Sequence, residues 1–222
     1  MIDTLVVVAT HGSMLIERHL RKMTTMYTHP VLVVETGPST PAVRKLVDAT
    51  DNALYLNTPY SGYDTGAYLW AFWNVAAKNY LFMQDSCFPR EGDYVEQFAR
   101  AMPGSMGVVG WSSFDINIWD SPEQREATAW MYGDPMKWPP KGIFGPIFYT
   151  NDASLKYMAS LNLLPMPPVH KQQQQAMERA WAILFHRAGI RANFLVNEDS
   201  PRGFDMMRGA YPALQKTFEM RS

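Results

Sequence analysis

The sequence is poor in cysteine, in net charge and in long apolar runs. Cys87 is the single cysteine among 222 residues, so no internal disulfide can form, and a reducing, cytoplasmic setting is the expectation. Twenty Lys and Arg stand against 21 Asp and Glu, a net charge of −1. No global field of one sign therefore recruits nucleic acid or an anionic membrane, and no nucleic-acid partner is expected. The longest apolar runs, such as Leu5 to Ala9 and Tyr80 to Met83, fall far short of the roughly 20 residues that a spanning helix needs. No transmembrane segment is expected. Residues 1–9 have neither the basic start nor the small-residue cleavage site of a secretory leader. No internal repeat and no clear linker interrupts the chain, and the Gln172–Gln175 run is too short to count as low complexity.

What is present is globular. Apolar residues make up 47% and charged residues 18%, which separates the chain from disordered sequences and suits one domain with a substantial core. Seven Trp, eleven Tyr and eleven Phe are a large aromatic load for this length. Part of that load fills the interior, and any surplus on the surface offers flat faces for sugar rings.

The hydrophobic pattern alternates between short β-branched runs and amphipathic segments. Strands are expected at Thr4–Ala9, Val31–Val34, Ala53–Leu56, Tyr80–Met83 and Met106–Trp111. Helices are expected at Met14–Met26, Pro41–Asp48, Gly66–Lys78 and Asp93–Met102. Such alternation predicts an α/β fold with a mainly parallel sheet and helices on both faces. Ser112–Pro140 shows little periodicity and reads as an irregular, partly helical excursion. After it come a strand at Lys141–Thr150, a helix at Asp152–Leu161, a proline-punctuated loop at Leu164–Pro168, a long helix at Lys171–Arg187 and a last strand at Arg191–Val196. Ala188-Gly189 supplies the stop signal of that long helix. Residues 203–222 read as a peripheral helical tail, and the whole chain 1–222 as one domain.

The stretch Asn79–Cys87, NYLFMQDSC, carries most information. Its apolar run has the look of a strand buried on both faces, and it stops abruptly at Gln84, Asp85 and Ser86. Ligands of open α/β sheets bind at the carboxyl edge of such strands. A carboxylate there can hold a hard divalent cation, and the cation can hold a diphosphate.

Taken in order, the segments VVVATHGS, VVETG, GYDTGAYLWAFWN, YLFMQDS, GVVGW, GIFGPIFY and ERAWAILFHRAGI resemble a small GT-A-type glycosyltransferase. The resemblance covers about residues 4–197 and is nearest to the single-domain, family-2-like enzymes of bacterial and viral polysaccharide synthesis. It implies a GT-A-like fold, with a Rossmann-like nucleotide-sugar half at about 1–111 and an acceptor and catalytic half at about 112–200. It further implies transfer of a hexose from a nucleotide sugar, a UDP-sugar by this reading, to a hydroxyl of a glycan acceptor. A catalytically silent sugar-nucleotide or glycan-binding module with the same fold is the alternative. A nucleotidyltransferase would need a cation beside its first glycine loop, and THGSMLIERHL has none next to Gly12.

The resemblance also implies site residues. The loop after the first strand, with Thr10, His11 and Gly12, would cup the nucleoside, while Ser13 also reads as a helix cap. Glu35 and Thr36 end the second strand, where a carboxylate accepts from ribose or base; the plainer reading of Glu35 is a solvated loop acid. Tyr63 and Asp64 sit where the nucleotide sugar is contacted, and Asp64 also reads as the cap of the following helix. The aromatics behind it (Tyr68, Trp70, Phe72, Trp73) read as core. Gln84-Asp85-Ser86 occupies the place of the Asp-x-Asp signature, which binds Mn²⁺ or Mg²⁺. With one acid where the family has two, Asp85 is the expected metal ligand, and the metal is expected to be weakly held or optional. Gly145, in Gly142–Pro146, would border donor and acceptor, or simply form a turn. Trp111 either stacks on the acceptor or packs in the core. Glu178, counted back from Gly189, falls where the family places its catalytic base; otherwise it is a surface acid paired with a cation. Arg179 is read as a phosphate or positioning cation. His170 and His186 are given no metal role.

Overall fold

The computed structural model describes residues 1–12, 15–26, 29–58, 63–89, 94–118, 121–196 and 214–216. The first half runs β1 (Ile2–Thr10), α1 (Leu15–Met26), β2 (Val31–Thr36), α2 (Pro41–Asp48), β3 (Ala53–Thr58), α3 (Tyr63–Asn74), β4 (Ala77–Gln84) and β5 (Cys87–Pro89). Then follow α4 (Tyr94–Arg100), β6 (Gly107–Asp115), α5 (Pro122–Tyr132), a 3-10 turn at Pro135–Lys137, β7 (Lys141–Ile143) and β8 (Phe148–Asn151). The rest comprises α6 (Asp152–Ser160), α7 (Lys171–Arg187), β9 (Arg191–Val196) and β10 (Leu214–Lys216).

The main sheet has the order β3-β2-β1-β4-β8-β6-β7, with β9 along β6. β3, β2, β1 and β4 pair in parallel, and β9 is parallel to β6; β8 and β7 run antiparallel to their neighbours. The sheet is thus mixed and mostly parallel, as expected. β1 lies inside it, and its apolar run is buried throughout. Alternate residues of a strand face opposite sides. Leu5, Val7 and Ala9 therefore pack with residues of α3 and α7, whereas Val6 and Val8 pack with residues of α1, α2 and α4. These are two cores on the two faces of one sheet, each tight enough that truncating a buried Leu such as Leu5 to Ala costs about 2–5 kcal/mol.

Among the described residues, most of the buried aromatics belong to the first of these cores. Tyr68 lies 4.7 Å from Phe82, and Phe148 lies 4.8 Å from Trp181, centroid to centroid. The α3 aromatics divide: Tyr68 and Phe72 are buried, but Trp73 is 63% exposed.

Several expected boundaries shift. α3 begins at Tyr63 rather than Gly66 and ends at Asn74, because β4 already starts at Ala77. The expected strand Lys141–Thr150 is two strands. Between them a tight turn is closed by Ile147 N–H donating to Phe144 O at 3.3 Å. Gly145 takes φ +65 at its second position, a conformation glycine adopts without a Cβ penalty. The excursion Ser112–Pro140 contains the end of β6 and an eleven-residue helix, α5. Ser121 caps α5 by accepting from Gln124 N, and Pro122 opens it. The tail expected to be helical includes a strand instead: Leu214–Lys216 pairs antiparallel with Cys87–Pro89. The remainder of 203–222 lies outside the described residues, as does Ser13.

α7 ends as its sequence requires. Ile190 N–H donates to Phe185 O and Gly189 N–H to His186 O, both at 2.9 Å, with Gly189 at φ +69. This is a Schellman cap, and it turns the chain directly into β9.

Candidate functional site

The parallel strands set polar residues side by side at one edge. Thr10 at the end of β1 is in register with Glu35 of β2, Glu35 with Asn57 of β3, and Ala9 with Gln84 of β4. An apolar strand interior cannot accommodate a carboxylate without partners, so the chemistry collects where the strands stop.

Asp85 follows directly from β4. It is 1% exposed, its amide donates to Ala9 O at 3.0 Å, and one carboxylate oxygen accepts from the Thr10 hydroxyl at 2.8 Å. Thr10 is itself fully buried. A buried carboxylate stays charged only with such donors, and this bond joins two of the expected site residues. Next to it, the Gln84 amide donates to Asp64 Oδ2, and the Gln84 Oε1 lies 3.5 Å from Ser86 Oγ.

Asp64 is the hub of the cluster. It stands in the first turn of α3, where a carboxylate complements the positive end of the helix. Besides Gln84, its Oδ2 accepts from the amide of Gln174 at 2.8 Å. His11 Nε2 lies 3.9 Å from Oδ1. His11 also bonds Thr36 Oγ1 through Nδ1 and meets the Tyr63 ring edge-on at 5.2 Å. Thus His11, Thr36, Tyr63, Asp64 and Gln84 form one connected set. The cap reading of Asp64 is corrected in position: the residue is inside the helix, facing other side chains.

Glu35 is fully buried, which overturns the reading of a solvated loop acid. Its Oε2 accepts from Thr40 N at 3.0 Å and from the Tyr55 hydroxyl. The Tyr55 phenol is pushed above its ordinary pKa by burial, with the Glu35 bond adding to the effect. Glu35 Oε1 faces Gly12, where an added Cβ would come within 3.3 Å of it and within 2.7 Å of Thr40 Oγ1. Gly12 has φ +75, so both conformation and space demand glycine there.

The second cluster lies across α7. Glu178 Oε1 accepts the Gly145 N–H at 2.9 Å. The Glu178 side chain is half-buried and engaged by backbone of the β7–β8 turn. Arg179 is 4% exposed, donates to Ile118 O, and lies 4.9 Å over the Phe114 ring. Trp111 is 2% exposed and edge-on to Phe144. Its burial selects the core reading and removes it from the acceptor face.

The two clusters share a helix. Gln174 and Glu178 are four residues apart on α7, hence on one face. Gln174 holds Asp64, and Trp181 Nε1 donates to Thr65 Oγ1 at 3.1 Å, so α7 is tied twice to the start of α3. Gln174 escaped the sequence reading because it sits in a run of four glutamines with nothing to single it out. Tyr68 lies behind both carboxylates. Its phenol is fully buried, and burial foremost, then the charges of Asp64, Cys87 and Asp85, drive its pKa well above the ordinary value.

A hard cation would find oxygen donors here: the Asp85 carboxylate, the Ser86 hydroxyl and the Gln84 carbonyl oxygen. One charged and two neutral oxygens suit Mg²⁺ or Mn²⁺ bound with water and phosphate rather than a closed protein cage. Among the described residues no three His, Cys, Asp or Glu side chains gather as a metal cluster. Nor is any described helix long and apolar enough to cross a membrane.

No protein-family model matches the chain, and no curated protein sequence does. Solved structures do share its fold, and they are GT-A-like glycosyltransferases. S. aureus TarS, residues 1–349, superposes with a TM-score of 0.53 at 12% identity, over 87% of this chain and 58% of that one. The mannosyltransferase PcManGT from Pyrobaculum calidifontis, in complex with GDP-Man and Mn²⁺, gives 0.57 at 14% identity, over 93% and 61%. Core-mannan synthase A from Aspergillus fumigatus, in its Mn/GDP form, gives 0.50 at 10%, over 88% and 73%. The chain therefore spans 58% and 61% of the first two of these neighbours. At such identities the likeness is one of fold.

Proposed function

We propose that this chain is a glycosyltransferase that moves a sugar from a nucleoside-diphosphate sugar to a saccharide hydroxyl, with a divalent cation assisting. The observation that carries the reading is the gathering of Thr10, Asp64, Gln84 and Asp85 at one sheet edge, tied by Gln174 to the helix that bears Glu178. In this reading Thr10, His11, Gly12, Thr36 and Tyr63 line the nucleoside end, and Glu35 supports the first loop from behind Gly12. Asp85 is the charged ligand of the cation, with Gln84 and Ser86 beside it. A cation bound there supplies positive charge that offsets the charge growing on the leaving diphosphate. Glu178 is the base. In an inverting displacement it takes the proton of the acceptor hydroxyl as that oxygen attacks the anomeric carbon, and the nucleoside diphosphate departs. The Gly145 N–H orients the Glu178 carboxylate for this step. UDP is the nucleotide we favour; the GDP forms of two fold neighbours make GDP its competitor.

A second reading, a silent sugar-nucleotide or glycan-binding module, draws on Gln84. Its amide is committed to Asp64 where a second carboxylate would strengthen metal binding. Calorimetry with UDP and GDP, with and without Mn²⁺, on wild type and Asp85→Ala decides the main point. Binding that is enhanced by Mn²⁺ and lost in Asp85→Ala is expected. Wild type that binds neither nucleotide in any metal condition overturns the proposal. Hydrolysis of a UDP-sugar panel separates transferase from silent module.

A further inference from the structure

We infer that Arg179 is a positioning residue for the base Glu178, and that it acts through Phe114 and the pairing of β6 with β7. This rests on the transferase reading above and deepens it on the side of the base. Successive residues of a helix point about 100° apart, so Glu178 and Arg179 leave α7 in different directions. Both nevertheless end on one small structure. Glu178 Oε1 accepts the Gly145 N–H at 2.9 Å, in the turn that joins β7 to β8. Arg179 donates to Ile118 O, and its guanidinium lies 4.9 Å over the Phe114 ring of β6. Ile118 is itself held to the end of β6, its N–H donating to Asp115 O at 3.0 Å.

The path from Arg179 to Gly145 is short and made of close contacts. Phe114 is in register with Gly142 of β7. The tip of its ring takes the place a side chain at Gly142 would need, since an added Cβ would come within 2.3 Å of Phe114 Cζ. Phe144, the residue before Gly145, meets the Phe114 ring edge-on at 6.5 Å, centroid to centroid. Its N–H donates to Ser112 O of β6, and on the far side of the turn Trp111 N–H of β6 donates to Ile147 O, both at 3.0 Å. Both ends of the turn are thus pinned to β6, and Arg179 presses on β6 where β7 is held against it. A displaced Phe114 ring moves Gly142 and Phe144, and with them the N–H on which the Glu178 carboxylate rests. A cation over a ring binds strongly where water is kept out, and Arg179 is 4% exposed. The planar guanidinium matters as well as the charge, because it lies flat on the ring as an ammonium does not.

The test compares the full chain with Arg179→Met, Arg179→Lys and Gly142→Ala. Three quantities are measured: hydrogen exchange of the Gly145 amide by NMR, hydrolysis of UDP-glucose and GDP-mannose in Mn²⁺, and UDP and GDP affinity. In Arg179→Met the Gly145 amide should exchange about tenfold faster while the amides of Ile183 and Phe185, on the same helix, keep their rates. There kcat should fall about 10- to 100-fold, the cost of a base misplaced by about 1 Å, at unchanged KM and nucleotide affinity. Arg179→Lys should fall between wild type and Arg179→Met. Gly142→Ala, which leaves Arg179 in place but drives the Phe114 ring away, should reproduce the Arg179→Met pattern. A wild-type Gly145 exchange rate in Arg179→Met, equal acceleration along all of α7, or a loss of nucleotide affinity that marks Arg179 as a phosphate ligand each overturns the inference. Any of these in a chain that binds nucleotide leaves the transferase reading standing. If wild type binds nucleotide but hydrolyses neither donor, Gly145 exchange decides the inference by itself. If wild type binds neither nucleotide, the transferase reading falls and the inference with it.

Discussion

The amide of Gln174 donates to Asp64 Oδ2 at 2.8 Å, a buried bond between residues 110 positions apart. It fastens the start of α3 to α7, and through α7 it sets where Glu178 meets the β7–β8 turn. Gln174 Oε1 has no protein partner among the described residues. Gln174→Leu thus removes one bond to a carboxylate and one buried unpaired carbonyl. Those effects oppose each other, so stability to urea should change by no more than about 1 kcal/mol. Turnover should fall at least tenfold, with KM for the donor raised. Wild-type turnover in Gln174→Leu would remove Gln174 from the site.

Glu178→Gln retains an oxygen for the Gly145 N–H and so leaves the fold unchanged. It cannot take a proton at neutral pH. The expected loss in kcat is about 10²- to 10⁴-fold, the usual contribution of a general base. Nucleotide affinity should be unchanged. Single-turnover kinetics and calorimetry on one preparation check both halves.

Thr10→Val conserves shape and deletes the hydroxyl that donates to Asp85. A buried carboxylate deprived of a donor costs about 1–3 kcal/mol, which denaturant unfolding would register. Nucleotide affinity in Mn²⁺ should fall as well, because Asp85 loses its orienting partner. Asp85→Asn should abolish the Mn²⁺ dependence of nucleotide binding altogether.

His19 on α1 is fully buried, and burial holds its pKa down at about 4, only partly offset by the Cys87 backbone. Its folded value is below the unfolded one of about 6.5. Between those values the unfolded chain binds a proton that the native chain does not, so stability falls as pH drops from about 6.5 toward 4. The loss from this residue is roughly 3 kcal/mol by pH 4. His19→Leu should flatten that part of the stability profile. An unchanged slope between wild type and variant, in urea titrations at pH 7 and 4.5, would refute the assignment.

The Tyr68 hydroxyl is buried without a protein hydrogen-bond partner among the described residues. Tyr68→Phe keeps the ring against Phe82 and discards the unpaired group. The variant should be as stable as wild type or more so, by up to about 1 kcal/mol. Thermal unfolding measures it directly.

The sequence by itself determined the order of elements and where the polar strand ends would lie. Strand period, the two-faced apolar runs at Leu5–Ala9 and Tyr80–Met83, and the Ala188-Gly189 stop are local signals, and local signals survive without partners. Lys171–Arg187 and Arg191–Val196 came out at their observed bounds for that reason. Only the tertiary structure decided that β8 enters antiparallel between β4 and β6, and that Leu214–Lys216 is a strand. It also showed that Glu35 is buried, that Trp111 belongs to the core, and that Asp64 binds Gln84 and Gln174 rather than capping a helix. Each of these depends on which buried polar group finds a donor, or which edge finds a strand. Such pairing is settled by proximity in space between segments that the chain keeps far apart.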